Sequence, residues 1–207
     1  MIRFWEYELT SDLLCIGERI KKGLVRPCVK TIPYSTITGA LRQEVLGVPS
    51  WQQVGHAVGF LEEGYSEVTF VGGPQDAATG VSKLPLTVFA LANVRGKVFI
   101  VYDEHTKDLD PKLQFSMGAL KSKGFGRVCL RRVGERPIEV DPDGCVLGRL
   151  RTRIPESLLL TFGITPPAIK PVYGYLFKPT SDTGGVWVRS LFQGSIVRAP
   201  ALLVDGR

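Results

Sequence analysis

The sequence predicts an α+β protein that begins with a ferredoxin-like (RRM-like) domain. Over residues 1–133, hydrophobic periodicity and turn signals give the order strand, helix, strand, inserted hairpin, strand, helix, strand. This is the βαββαβ order of the ferredoxin-like fold with one β-hairpin insertion. The remaining residues are rich in proline, glycine and short apolar runs. We therefore predict a ferredoxin-like domain over residues 1–138 and a smaller β-rich part over residues 139–207.

The first strand is predicted at residues 2–9. Its aromatic content is high, and Trp5, Tyr7 and Leu9 alternate onto one face. In the ferredoxin-like fold both helices cover one face of a four-stranded antiparallel sheet. The other face is free for partners, and many RNA-binding modules use it in this way.

The first helix is predicted to follow Pro33, which keeps the chain extended. Ser35 or Thr36 is a suitable N-cap, and Gly47 is placed to end the helix. The predicted apolar stripe consists of Ile37, Ala40, Leu41 and Val45.

Two residues of this helix, Gly39 and Arg42, are not part of the apolar stripe and are candidate contacts for another group. Gly39 lowers helix propensity in the first turn, which makes sense if another group packs closely there. Arg42 lies off the apolar stripe, so we expect its side chain to face solvent or a ligand.

The middle of the chain is predicted to be mostly strand. Residues 48–63 are assigned a short helix, and residues 65–71 alternate as a strand. Residues 84–94 carry Pro85 and are predicted to form an edge strand or a hairpin arm. Residues 97–102 are almost entirely apolar, which predicts a central strand.

The second helix is predicted to begin at Asp110, an acidic N-cap that is followed by proline at the first helical position. Leu113, Met117 and Leu120 follow at helical spacing. The helix is expected to run into a glycine-containing loop, from which residues 127–133 emerge as a strand.

The glycine-containing loop has the composition of a phosphate-binding loop. Gly124 and Gly126 lack a Cβ, so the backbone N–H groups of the loop can approach a phosphate closely. The neighbouring cations and one aromatic residue would add positive charge and a face for a base. The alternative is a helix stop followed by a turn. The flanking residues are Lys121, Lys123, Phe125 and Arg127.

The charge of the chain favours a polyanionic partner. The formal net charge is +6 and the isoelectric point is near 9.2. From Cys145 to the end there are eight basic residues against three acidic ones. A second basic stretch, residues 15–30, is predicted to be a loop or broken strand and a candidate phosphate track. Its candidate contacts are Lys21, Lys22 and Arg26.

Several functional classes have no support in the sequence. The four cysteines lack C-x-x-C spacing, so a zinc ribbon is not expected. We also find no P-loop, no nucleophile elbow, no signal peptide and no apolar run of membrane-spanning length. We expect a cytoplasmic protein with reduced thiols, no cofactor, no metal and no membrane partner.

Two motifs resemble those of the RAMP superfamily of CRISPR-associated proteins. Residues 32–42, IPYSTITGALR, resemble the helix start of that superfamily, and residues 121–128, KSKGFGRV, resemble its glycine-rich loop. That loop lies between the second helix and the fourth strand of a ferredoxin-like domain, as predicted here. Residues 173–177 and 193–195 also resemble the β-rich second part of some RAMP subunits.

This resemblance implies a CRISPR RNA-binding subunit of an RNA-guided antiviral effector complex, with other CRISPR-associated subunits as partners. The small size and the eighty or so residues after the glycine loop resemble the non-catalytic subunit that grips the 5′ repeat-derived handle. The expected RNA contacts are Arg42, Gly39, Lys121, Lys123, Gly124, Phe125, Gly126, Arg127, Lys21, Lys22 and Arg26.

The alternative is a metal-independent endoribonuclease that processes CRISPR RNA. Such an enzyme needs a general acid or base near the 2′-hydroxyl, most often histidine. Only His56 and His105 are present, and His56 is the catalytic candidate because it follows the first helix. Processing enzymes of the superfamily often carry their glycine loop near the C-terminus, whereas here the loop is in mid-chain.

Overall fold

The computed structural model describes residues 1–17, 25–73, 76, 78–80 and 85–206. Within these residues the protein is α+β, as predicted, with strands far outnumbering helices. The single α-helix of the described residues, α1, spans Tyr34–Ala40 and continues as a π-helical turn over Leu41–Val45.

A large, mostly antiparallel sheet contains the first eight strands of the described residues. Its central pair is formed by β1 and β5, which pair from Phe4↔Val101 to Leu14↔Leu91. The path β2-β5-β1-β7-β6 is joined by β3 and β4 on β5 and by β8 on β1. The strands are β1 (Ile2–Leu14), β2 (Val25–Arg26), β3 (Ala57–Leu61), β4 (Ser66–Gly72), β5 (Leu86–Val101), β6 (Lys112–Ser116), β7 (Arg127–Arg132) and β8 (Ile138–Val140).

The first strand and the helix pack as their sequence patterns predict. Trp5, Tyr7 and Leu9 are buried on one face of β1, in one cluster with Ile37 and Leu41 of the helix. The predicted cap is wrong, because the helix starts at Tyr34 and no side chain caps it. Thr38 instead fixes the helix to β3, where its Oγ1 bonds both the N–H and the carbonyl of Ala57.

The predicted second helix is wrong, because residues 112–116 form strand β6. Leu113, Phe115 and Met117 are buried while Lys112 and Gln114 are exposed, which is the two-residue period of a strand. The four-residue spacing of Leu113 and Met117 fits both a helix and a strand. Phe115 between them fits only the two-residue period of a strand. The glycine-containing loop therefore joins two paired strands, β6 and β7.

Two other assignments in the middle of the chain also change. The short helix predicted within residues 48–63 is absent from the described structure, and strand β3 occupies Ala57–Leu61. The two strands predicted at residues 84–94 and 97–102 form the single strand β5. Asn93, with φ +55°, is the one position between the paired residues 92 and 94 without a partner on β1, but the register is the same on both sides, so β5 continues as one strand.

The second part is mostly strand, as predicted, and forms two small sheets. One sheet has the order β10-β13-β12 and the other has the order β11-β14-β9-β15. The strands are β9 (Val146–Leu150), β10 (Ile154–Pro155), β11 (Thr165–Lys170), β12 (Tyr173–Pro179), β13 (Gly185–Leu191), β14 (Ile196–Ala199) and β15 (Val204–Asp205).

The second part covers the sheet face that the fold class predicts to be free. Phe4, Phe60 and Phe99 of the large sheet are buried in one cluster with Phe162 and Ile154. The rings of Phe4 and Phe162 stack with their centroids 6.4 Å apart. The two parts therefore share a core, and the boundary predicted between residues 138 and 139 falls inside β8.

Candidate nucleic-acid interface

The loop between β6 and β7 is held against the end of β1. Its base is closed by a hydrogen bond from the N–H of Met117 to the carbonyl of Gly126, at 2.9 Å. The N–H of Ala119 donates to the carbonyl of Cys15, and the N–H of Gly126 donates to that of Leu13, each at 2.7 Å. The loop is thus an ordered extension of the large sheet.

The glycines of this loop have different physical roles. Gly126 has φ +81°, and a Cβ at this position would lie 2.0 Å from the carbonyl oxygen of Met117. Gly118 has φ +87° and a similar clash with the carbonyl of Cys15, so both glycines permit close backbone packing. Gly124 has φ +85° but faces open space. Of the two predicted phosphate-contact glycines, only Gly124 is therefore open to a ligand.

The three cations of the loop lie at the surface. Lys121, Lys123 and Arg127 are all exposed. Lys121 Nζ lies 2.7 Å from Glu44 Oε1, while Glu44 Oε2 accepts the N–H of Ser116 at 2.8 Å. Burial alone would raise the pKa of Glu44, but Lys121 and the Ser116 N–H outweigh it and hold that pKa below its usual range. Glu44 thereby ties the loop to the end of the helix.

Phe125 does not offer its ring to solvent, contrary to the prediction. Only 8% of the residue is exposed, and its ring meets the Phe70 ring edge-on with the centroids 5.1 Å apart. Phe125 packs with Cys15, Val88 and Ala90 under the loop. Its role in this structure is to anchor the loop, because its ring faces have no room for a base.

Arg42 is also buried, so the expectation that it faces solvent or a ligand is wrong. Only 4% of the residue is exposed. Its Nε donates to the carbonyl of Val54 at 2.7 Å and its Nη1 donates to that of Ser50 at 2.8 Å. Its Nη2 donates to the hydroxyl of Tyr34 at 3.1 Å. These bonds occupy all three guanidinium nitrogens and brace the turn after the helix.

His56 belongs to the same buried network. The Tyr34 hydroxyl lies 2.7 Å from His56 Nδ1. Arg42 Nη2 donates to the same hydroxyl, so Tyr34 links the guanidinium to the imidazole ring. Burial, assisted by the Arg42 charge, lowers the pKa of His56 to about 4. The half-buried ring is therefore neutral near pH 7 and is held beside Tyr34.

The helix and the glycine loop face each other across a cleft of about 330 Å³. Gly39 lies in its wall and has open space where a Cβ would project, so the predicted close packing at this glycine is absent. The two sequence motifs therefore lie close together at one end of the sheet, as predicted. The other lining residues include Ser35, Thr36, Gln43, Gly118, Ala119 and Lys121.

Two hollows adjoin the cleft. One, of about 360 Å³, shares Lys121 with the cleft and is also lined by Gly124, Arg127 and Asp12. The other, of about 510 Å³, shares Ser35 and Thr36 with the cleft and is also lined by residues of the β12–β13 hairpin. The cleft thus links the loop cations with the second part of the chain.

The hairpin residues that line the larger hollow were missed as site residues by sequence reasoning. They include Tyr175, Phe177 and Trp187. The available signal was the run of aromatic residues at alternating positions 173, 175 and 177, which places them on one face of a strand. That this face lies beside the cleft depends on the tertiary packing of the hairpin.

The basic stretch around residue 26 is described only in part. Lys21 and Lys22 lie outside the described residues. Arg26 is half-buried next to Gly17, which lines the cleft. Among the described residues its buried Nε has no hydrogen-bond partner. Of the three predicted contacts in this stretch, Arg26 is the one within the described residues, and it contacts Gly17 of the cleft wall without being a lining residue itself.

Comparison with known proteins identifies the fold. No family model and no curated protein matches this chain. The fold is similar to that of a chain in the cryo-EM structure of the Type III-B Cmr-beta bound to cognate target RNA and AMPPnP. The TM-score is 0.61 at 12% identity, over 93% of this chain and 85% of that chain. It is also similar to a chain of Type III-B Cmr-beta bound to cognate target RNA. There the TM-score is 0.61 at 11% identity, over 93% of this chain and 86% of that chain.

These similarities confirm the predicted resemblance to CRISPR effector subunits at the level of the fold. None of the described helices has the length and hydropathy that a membrane crossing needs. The described residues contain no group of three or more metal-ligating side chains.

Proposed function

We propose that this protein is a CRISPR RNA-binding subunit of an RNA-guided antiviral effector complex. The fold it shares with chains of Type III-B Cmr-beta bound to cognate target RNA supports this assignment. The cleft between the helix and the glycine loop is the proposed RNA site. Its partners would be CRISPR RNA and the other subunits of the complex.

The observation that carries the proposal is the position of two loop cations: Lys121 lines the cleft, and Arg127 lines the hollow next to it. Lys123 and Arg127 are exposed beside Gly124, where no Cβ keeps a ligand away from the backbone. Arg26 lies next to Gly17, which lines both the cleft and the larger hollow. Phosphates of a single strand would contact these cations, and the cleft between them would hold the chain.

We further propose that the large sheet derives from a ferredoxin-like domain. The strands β3, β5, β1 and β7 pair side by side in the spatial order of that fold, and the helix packs on one face. Strand β6 occupies the chain position of the second helix. A ferredoxin-like origin explains why the first helix and the glycine loop meet at one end of the sheet.

The proposed RNA segment is the 5′ repeat-derived handle, and the proposed role is non-catalytic. The RAMP-like order of the two motifs supports the first point. The half-buried position of His56 supports the second, because its Nδ1 is already hydrogen-bonded to the Tyr34 hydroxyl. The free cysteines of the described residues fit action in the reducing cytoplasm.

The test is binding of repeat-derived RNA, measured by fluorescence anisotropy at several salt concentrations. The Lys123→Ala/Arg127→Ala variant should bind more weakly. The slope of log affinity against log salt should fall by about 0.7 for each phosphate that the variant no longer neutralises. The matched control is Lys107→Ala/Arg136→Ala, which removes two exposed charges at the opposite end of β1 and β7. This control should keep the wild-type slope.

Three outcomes would contradict parts of the proposal. Absence of RNA binding at low salt, with the protein alone and with its partner subunits, would refute RNA binding. Equal affinity for RNA with and without the handle would refute the handle assignment. Cleavage of repeat RNA in EDTA that is lost on His56→Ala would favour the processing enzyme instead.

A further inference from the structure

The β12–β13 hairpin presents an open aromatic face. Tyr173, Tyr175 and Phe177 project from one side of β12, and they are 45%, 63% and 43% exposed. Trp187 of β13 is 50% exposed and lies opposite Phe177. Leu176 projects from the other side into the core. One face of the hairpin is thus buried and the other carries four large aromatic side chains.

The aromatic side chains are arranged in a row that includes one cation, Arg189. Successive residues on one face of a strand are about 6.6 Å apart, so the three rings of β12 follow each other at that spacing. The rings of Phe177 and Trp187 meet edge-on at 5.6 Å. The guanidinium of Arg189 lies over the Tyr173 ring at 3.7 Å. This row offers several flat faces within reach of positive charge.

We propose that this hairpin face stacks unpaired bases of the RNA whose phosphates lie in the cleft. The inference rests on the proposed RNA-binding function and adds a second contact area of different chemistry. Every base has a flat π-face, and aromatic rows of this kind bind single strands with little sequence preference. The ligand class is therefore single-stranded RNA with its bases splayed outward.

The position and charge of the face favour RNA over a protein partner. Tyr175, Phe177 and Trp187 line a hollow that shares Gly17, Ser35 and Thr36 with the cleft, so the two areas are adjacent and within reach of one strand. From Cys145 onward the chain has eight basic residues and three acidic ones. This excess of basic residues suits a polyanion, and single-strand binding grooves combine cations with aromatic rings.

The experiment removes stacking groups from the protein, from the RNA, or from both, and compares the affinities in one binding assay. Tyr175→Ala/Trp187→Ala removes two rings from the protein, and an RNA with several abasic positions removes bases without removing phosphates. We expect the double variant to bind intact repeat RNA at least about tenfold more weakly, as expected when base stacking is removed. The same variant should bind the abasic RNA as wild-type protein does, because there is no base left to stack.

The controls test whether weaker binding comes from unfolding or from the loss of exposed apolar area rather than from the loss of stacking. Tyr175→Phe preserves a stacking face and should retain wild-type affinity. Leu160→Ala removes an apolar side chain that is 71% exposed outside the hairpin, and it should also retain wild-type affinity. Circular dichroism of each variant checks that the second part remains folded.

The outcomes separate this inference from the proposed function. If wild-type protein binds intact and abasic RNA equally well, and the double variant binds like wild type, stacking is refuted while RNA binding stands. If the double variant keeps its RNA affinity but no longer co-purifies with its partner subunits, the face binds protein and the inference is overturned. If wild-type protein binds no RNA at all, the proposed function itself fails.

Discussion

At the residue scale, two predicted site residues, Arg42 and His56, belong to one hydrogen-bond network. Arg42 donates to Val54, Ser50 and Tyr34, and the Tyr34 hydroxyl is hydrogen-bonded to His56 Nδ1. Sequence reasoning could place Arg42 off the apolar stripe but could not see the turn that folds over it. The carbonyls that accept its hydrogen bonds come from residues 50 and 54, which have no sequence signature as acceptors.

The buried state of His56 predicts a pH dependence of stability. Its pKa is near 6.5 when unfolded and about 4 when folded, so the unfolded chain binds more protons between these values. Stability should therefore fall as the pH falls from about 7 toward about 4. Allowing for partial exposure, His56 should account for about 1 kcal/mol of that decrease.

The measurement is urea unfolding of wild type and His56→Gln at about pH 7 and about pH 5. The variant should be less stable at neutral pH and should be destabilised less by acidification. His105→Gln, on an exposed turn, is the matched control and should follow wild type. A His56→Gln variant with the full wild-type pH dependence would show that another group is responsible.

At the element scale, the β6–β7 loop shows why its two predicted glycines are not equivalent. Gly124→Ala should cost about 1 kcal/mol, the strain of a positive φ in a side chain with open space around it. Gly126→Ala carries the same strain and must also move the Met117 carbonyl, so its destabilisation should be larger by at least about 1 kcal/mol. Unfolding free energies of the two variants test this order.

The reverse order, or equal destabilisation, would mean that the loop backbone can shift without breaking its bonds to β1. Hydrogen exchange of the amides of Ala119 and Gly126 gives an independent measurement, since these amides hold the loop to Cys15 and Leu13. Both amides should lose protection in Gly126→Ala and keep it in Gly124→Ala.

The elements that were predicted correctly from the sequence are those whose apolar residues repeat with only one period, either that of a strand or that of a helix. Trp5, Tyr7 and Leu9 alternate, and the helix has a clear apolar stripe that reaches Leu41. The prediction at strand β6 failed because Leu113 and Met117 fit both periods. The position of the cleft followed from two motifs at the ends of neighbouring elements, whereas the aromatic hairpin face needed the tertiary structure.

At the scale of the whole molecule, the two parts should unfold together. Phe162 of the second part is fully buried, and it stacks on Phe4 and meets Tyr34 edge-on at 6.1 Å. Phe162→Ala should therefore cost about 3–5 kcal/mol. Because the cavity would open between both parts, the destabilisation should appear in one transition that involves the entire chain.

The transition can be followed by circular dichroism and by tryptophan fluorescence, since Trp5 lies in the large sheet and Trp187 in the second part. Leu160→Ala, at an exposed position two residues away, should change stability by less than about 0.5 kcal/mol. Separate transitions for the two signals would show that the parts fold independently.

The ion pair between Glu44 and Lys121 has a consequence for the proposed RNA binding. A phosphate that reaches Lys121 would have to compete with a carboxylate that the protein itself supplies at 2.7 Å. This competing anion would lower the attraction of the loop for bulk nucleic acid. If RNA binds as proposed, a strand that also engages Lys123 and Arg127 would displace the carboxylate, so selectivity would depend on the number of simultaneous contacts rather than on charge alone.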